Sequence, residues 1–365
     1  MNLASFSASY AEARRKFLNG CELRGLQVES HIHPFKGRDQ ETLAIDVCRV
    51  GPANARNLMV ISSGCHGVEG FCGSAVQVDL LGDDHWAQRT ASPDLAVLYL
   101  HALNPYGFSW MRRVTHENVD LNRNFLDFSQ PLPDNPDYRA IHNLLLPRNW
   151  PASISSSARL MLFAARRGRS ALQSAITRGQ HSHPDGLFFS GVEPSWSNLQ
   201  IRQILRRHAR HCLRIGWIDI HTGLGPNGVG ERIYKGRASA ADLQRAQTWW
   251  GPEVTNSFDG SSTSAQLDGT LDLAVMEECP QAQYNGLTLE YGTLPGPQVL
   301  NALRAEQWLQ RNPLAPRSRF EQIKRQMRDA FYDDRPQWQQ QVLQQAREVC
   351  ELTRKGLLSP DPLQG

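Results

Sequence analysis

The sequence predicts an α/β protein built on a mixed, mostly parallel twisted sheet with helices on both faces. Two observations predict it. Short apolar runs such as "NLMVISSG" (57–64) and "GLTLEYG" (286–292) end in glycine, the pattern of buried strands meeting loops. Between such runs lie segments with apolar residues at helical spacing, such as "FCGSAVQVDLLGD" (71–83). Strands that alternate with helices need crossover connections, and these cover both faces of a sheet.

Taken in order, "SYAEARRKFLNG" (9–20) reads as an amphipathic helix closed by glycine, and "LQVESHIHPF" (26–35) and "TLAIDVCRVG" (42–51) read as strands. The strand "NLMVISSG" with its loop, the helix at 71–83 and the strand "DLAVLYLHAL" (94–103) follow, the last running into "NPYG". From about 147 to 200 the pattern changes to Ala, Arg, Ser and Leu at helical spacing and then to the turn-rich "GQHSHPDGLFFSGVEPSWSN", which reads as a helical insertion. "LRIGWIDIH" (213–221) and "GLTLEYG" are further strands, and the tail from about 298 to 365 reads as amphipathic helix. The expectation is one domain spanning 1–365, since a chain of this length buries a large core.

Composition is that of an ordinary globular protein, with 40% hydrophobic and 21% charged residues. A formal net charge of +3 is too small to imply nucleic acid. The arginines of "ARRGRS" and "IRQILRRHARH" recur at helical spacing with apolar partners, as on solvated helix faces. The N-terminus carries acidic residues and no apolar stretch of signal-peptide length, and no apolar run is long enough to span a membrane. Seven scattered cysteines without a CxxC pair suit reduced thiols in a cytoplasm.

The chemistry-bearing residues sit at strand ends, where α/β proteins keep their sites. A catalytic zinc takes three protein ligands, commonly His and carboxylate. "HGVE" offers His66 and Glu69 from one tight turn, and His221 in "WIDIHTGLG" is the best third candidate. A lone His at a strand end is a satisfied hydrogen-bonding group more often than a ligand; the coincidence of two such strand ends points to a metal. In "WMRRVTHENVDLNRNF", Asn122 and Arg123 stand beside Asp120, with Arg112 and Arg113 upstream. Arginine suits a carboxylate or the oxygen that turns negative when water attacks a carbonyl, although a structural ion-pair loop explains the same spacing. Glu290, at the end of an apolar strand, is either a general base beside a metal or a surface glutamate at a strand edge. His181 and His183 alternate along an extended segment, which turns them to opposite faces and disfavours a second metal site; a pocket wall is the better reading. Cys65 has no base positioned by the sequence and reads as a buried thiol.

The ordered set "HGVE", "RR…VDLNRNF", "DIHTG" and "LTLEYGT" resembles the zinc carboxypeptidase superfamily, which includes aspartoacylase-like and succinylglutamate desuccinylase-like deacylases, over roughly Asn57 to Thr293. "LNPYGFSWMRR", "GLFFSG" and "PSWSN" are similar to a little-characterised bacterial branch of it, known as a domain of unknown function. The resemblance implies a carboxypeptidase-like α/β/α sandwich holding one zinc ion on His66, Glu69 and His221. Glu290 would act as general base and proton shuttle. Asn122 and Arg123 would grip the substrate's carboxylate, and Arg113, or its neighbour Arg112, would polarise the scissile carbonyl. The stretch between Arg113 and Asn122 is shorter than in digestive carboxypeptidases and closer to the deacylases. For the mobile tyrosine of those peptidases Tyr234 is the candidate and Tyr284 a weaker one. The implied activity is zinc-dependent amide hydrolysis on a small peptide with a free carboxylate, or on an N-acyl amino acid. The reading from another class is a binding protein that keeps the fold. No nucleic-acid or membrane partner is expected.

Overall fold

The computed structural model describes residues 2–360. Seven strands, β1 (Val28–Lys36), β2 (Thr42–Val50), β3 (Asn57–Ser63), β4 (Leu95–His101), β5 (Arg214–Asn227), β6 (Gly230–Lys235) and β7 (Gln283–Gly292), form one sheet in the order β1-β2-β4-β3-β5-β7-β6. β4, β3, β5 and β7 are mutually parallel; β1 and β2 pair antiparallel, as do β2 and β4, and β6 closes the far edge antiparallel to β7. Five of the seven strands therefore run in one direction, and the fold class is the predicted one. The central strands are buried along nearly their whole length, which is why they read as unbroken apolar runs instead of alternating ones.

The helices are α1 (Tyr10–Leu23), α2 (Gly70–Leu81), α3 (Asp84–Thr90), α4 (Pro105–Ser109), α5 (Pro136–Leu145), α6 (Ile154–Arg167), α7 (Arg169–Thr177), α8 (Trp196–His208), α9 (Ala240–Trp250), α10 (Asp272–Glu278), α11 (Gly296–Arg311), α12 (Arg317–Phe331) and α13 (Pro336–Leu358). One sheet face, through Met59, Ile61, Ile218 and Leu289, packs on α1, α2, α9 and α13. The other, through Leu58, Val60, Leu98 and Trp217, packs on α8 and α10. A third apolar cluster joins α5, α6 and α7 to α11 and α12. No helix among the described residues is long and apolar enough to cross a membrane. All seven cysteines are buried free thiols.

Two local readings are corrected. The first helix does not stop at Gly20, which instead lets α1 approach Leu81; the chain turns at Gly25, whose φ of +65° an L side chain adopts with difficulty. β6 was not anticipated, because "GERIYK" carries three charges and has no apolar run. It is an edge strand, paired along its length with β7 and bridged on its outer side at Thr255, and such residues are tolerated there.

Candidate active site

β3, β5 and β7 bring their carboxyl ends together, the usual place for a site in an open α/β sheet. β3 ends at Ser63 and the chain turns at Gly64, with φ +64°, before His66 in extended conformation and a short helical turn at Gly67–Glu69 that opens α2. A Cβ on Gly67 would lie 2.0 Å from the backbone of Gly107, so only glycine fits there. The turn is docked on its neighbour: Gly67 N–H donates to Arg113 O at 3.1 Å and Val68 N–H to Arg112 O at 2.8 Å. The glycines of "SGCHGVEG" thus serve close backbone approach and fix His66 and Glu69 beside Arg113.

His66 Nδ1 lies 2.9 Å from Glu69 Oε1, His221 Nδ1 3.1 Å from Glu69 Oε2, and the two Nδ1 atoms are 3.2 Å apart. Ligands about 2.1 Å from one tetrahedral zinc stand roughly 3.3 Å from one another, so this donor set fits a metal ion without rearrangement. The remaining ring nitrogens also fit. His66 Nε2 is 3.2 Å from Asp120 Oδ1 and His221 Nε2 is 2.5 Å from Asp219 Oδ2, the outer carboxylates that orient metal-binding imidazoles. Asp219 in turn accepts from Ser62 Oγ at 2.6 Å, which accepts from Trp217 Nε1 at 2.7 Å. Asp120 also caps the turn at Leu121–Arg123 by accepting from Asn122 N–H.

Burial opposes charge on these groups, and partners outweigh it. Burial pushes the Glu69 carboxyl up, but the charges and hydrogen bonds of His66 and His221 hold it well below the usual carboxylate range. Asp120 is likewise held low, by Arg113, Arg123 and His66. His221 is held above the ordinary imidazole range, because Asp219 and Glu69 outweigh its burial. Glu290 is the exception. It stands opposite His221 in the β5–β7 register, accepts one hydrogen bond from Leu224 N–H at 3.0 Å, and is pushed up to about 8 by burial and then by the charge of Glu69.

Arg113 lies over the ligand set, donating to Asp120 at 2.9 Å and Glu69 at 3.2 Å, with Nη2 2.7 Å from His66 Nε2. Arg112 turns away. It donates to Glu306 at 3.1 Å and to Asn118 at 2.8 Å in a buried network with Lys324, outside the cleft. Arg123 Nε donates to Thr177 O and Nη1 to Asn122 O, both at 2.8 Å, and Asn122 Oδ1 accepts from Leu271 N–H at 2.9 Å. Arg123 Nη2 and Asn122 Nδ2 have no protein acceptor among the described residues, so both are free to hold an anion.

These groups line one cleft of about 760 Å³. Its far wall is apolar: Leu160 and Met161 of α6, Leu172 and Ile176 of α7, Val299 and Leu303 of α11, and Phe331. Phe188 lies beneath the guanidinium groups of Arg113 and Arg123, at 5.1 and 5.8 Å.

Three expectations do not hold in the geometry. Tyr234 is not in the cleft; alternation along β6 turns it into the core, where its hydroxyl donates to Arg237 O. Tyr284 lines only a small recess behind Asn122. His181 and His183 do not wall the cleft: His181 Nδ1 is 2.5 Å from Gly191 O, and the His183 ring stacks on His142 at 3.9 Å. The wall is α6 and α7. Asp219 and Asp120 were not singled out as orienting groups, although Asp219 was findable, two residues before His221 on the same strand face. Cys65 is fully buried and its thiol is pushed well up by burial.

Over residues 6–345 the chain matches the family described as "Protein of unknown function (DUF2817)". No curated protein matches its sequence. Among solved structures it is similar to carboxypeptidase A from Helicoverpa armigera, at 15% identity and a TM-score of 0.48, covering 90% of this chain and 75% of that one. It is similar to a metallo-carboxypeptidase from Pseudomonas aeruginosa at 14% identity and a TM-score of 0.42, covering 94% and 69%. It is also similar to a succinylglutamate desuccinylase from Silicibacter sp. at 12% identity and a TM-score of 0.39, covering 78% and 66%.

Proposed function

The chain belongs to the DUF2817 family, whose description assigns no activity, and from the chemistry of the cleft we propose that it is a zinc-dependent, carboxypeptidase-like hydrolase of amide bonds in small substrates with a free carboxylate. The observation that carries this reading is the convergence of His66 Nδ1, Glu69 and His221 Nδ1 within about 3 Å of one another, with Glu290 opposite His221 in the strand register. Zinc held by these three residues would supply a Lewis acid and lower the pKa of water beside it. Glu290 takes the proton of the attacking water and returns it to the leaving amine. Arg113 faces the carbonyl oxygen as it turns negative. Arg123 Nη2 and Asn122 Nδ2 hold the free carboxylate, so that binding energy is spent on orientation.

The wall formed by α6 and α7 supports a small substrate over a protein chain. The same apolar wall favours the second reading, an N-acyl amino acid deacylase, because it suits an acyl chain on the far side of the scissile bond. Hydrolysis by zinc-loaded protein, followed by mass spectrometry, decides between them across short peptides with free or amidated C-termini and a set of N-acyl amino acids. Release of one residue from free-ended peptides is the expected outcome. Turnover confined to N-acyl amino acids moves the protein to the deacylases, and absence of turnover in protein that binds zinc favours a binding role.

A further inference from the structure

Lys235 is a cation for which the proposed chemistry has no use. Alternation along β6 puts its side chain on the face of Ile233, opposite the core-facing Tyr234, and its cross-strand neighbour on β7 is Gly286, over which the Tyr284 hydroxyl lies. It lines the catalytic cleft and the small recess behind Asn122, and stands where these meet a second cavity of about 450 Å³. Asn122, Lys235 and Thr288 are common to the cleft and the recess, so Lys235 is beside the carboxylate clamp. Its ammonium makes no hydrogen bond or ion pair among the described residues. Burial, and to a lesser degree Arg123, hold it below the ordinary lysine range, while Asp272, Glu290 and Asp219 pull the other way without pairing to it. A half-buried, unpaired ammonium facing a cleft is costly in the free protein, and an anionic ligand group removes that cost.

We propose that Lys235 anchors a second anion subsite in the cleft, so that the moiety held by Arg123 and Asn122 carries another acidic group and is an acidic amino acid. The identification of that moiety as the leaving half of a substrate rests on the hydrolase reading; its binding does not. The test therefore uses binding first, by calorimetry on zinc-loaded full-length protein with L-glutamate and L-glutamine as probes, followed by hydrolysis of peptides ending in each. Glutamate is expected to bind at least tenfold more tightly than glutamine. Lys235→Met is expected to bring the two within about twofold, and Lys235→Arg, which keeps the charge, to retain the preference. Equal affinities in the unmodified protein, an unchanged ratio in Lys235→Met, or binding of neither probe overturns the subsite. Discrimination in binding without turnover of any peptide keeps the subsite and removes the peptidase reading. Equal turnover of both peptides keeps the hydrolase and removes the subsite.

Discussion

Glu290 and Glu69 are both buried carboxylates a short distance apart, and their surroundings drive them in opposite directions. Glu69 is pulled down by two imidazoles; Glu290 has a single backbone donor and the negative field of Glu69, and is pushed up. Environments that separate two acids in this way suit the proposed division of roles between a metal ligand and a proton carrier. Glu290→Gln keeps the shape and the Leu224 hydrogen-bond acceptor and leaves the ligand set intact. It should bind one equivalent of zinc while kcat falls roughly a hundredfold to ten-thousandfold, the usual contribution of a general base; retained turnover would exclude Glu290 from that role. Arg123→Ala removes the free Nη2 donor and should lower kcat/KM for free-carboxylate substrates by about 1.5–3 kcal/mol, roughly ten- to a hundredfold, the worth of a hydrogen bond to a charged group. An amidated substrate measured with the same variant is the control, and an equal loss on it would assign Arg123 to structure through its bond to Thr177 O.

At the scale of elements, β5 carries the argument. Its alternation places Trp217, Asp219 and His221 on one face, so the hydrogen bonds from Trp217 to Ser62, from Ser62 to Asp219 and from His221 to Asp219 form a relay within two neighbouring strands. Asp219→Asn should weaken zinc binding about ten- to a hundredfold, the typical effect of losing an outer partner, read by competition with a chelator of known affinity; unchanged affinity would reduce the relay to packing. This logic also decides what was legible in the sequence. His66, Glu69, His221 and Glu290 were legible because each stands where an apolar strand gives way to glycine, a signal contained in one short segment. The choice of Arg113 over Arg112 was not, because it depends on partners far apart in sequence, Glu69 and Asp120 for Arg113 and Glu306 for Arg112. Tyr234 was misplaced because its strand carries too many charges to be recognised, and without the strand there is no alternation to show that it points inward. The α6–α7 wall has the same cause: helical spacing identifies a helix, but which side of the fold it closes is set by the packing of α5, α11 and α12 against it.

For the whole molecule, a ligand that binds only the folded chain stabilises it by mass action, about 2.7 kcal/mol at a hundredfold excess over Kd. Zinc should therefore raise Tm by a few degrees and a chelator should reverse the shift; Glu69→Gln should abolish the response, and a shift that survives in that variant would place the metal elsewhere. The chelated protein also makes a cleaner prediction about pH. His33, His101 and His142, all away from the ligand set, are each held down to about 4 chiefly by burial, against 6.5 when unfolded. Between those values the unfolded chain binds the protons and the folded chain does not, so stability rises with pH across this window and falls as pH drops from 6.5 towards 4. His101, wholly buried with Ser74 Oγ 2.9 Å from its Nε2 and its ring stacked on Phe17, should alone account for roughly 3 kcal/mol once the pH is below 4. Carboxylates held low in the folded chain add a loss of the same sign, but only as pH approaches their unfolded values near 4.5. Glu290, raised to about 8, works with the opposite sign over this window because the folded chain holds its proton, so a fall in Tm already under way between pH 6.5 and 5.5 belongs to the buried imidazoles and a rise would mean that they are protonated and solvated in the folded state.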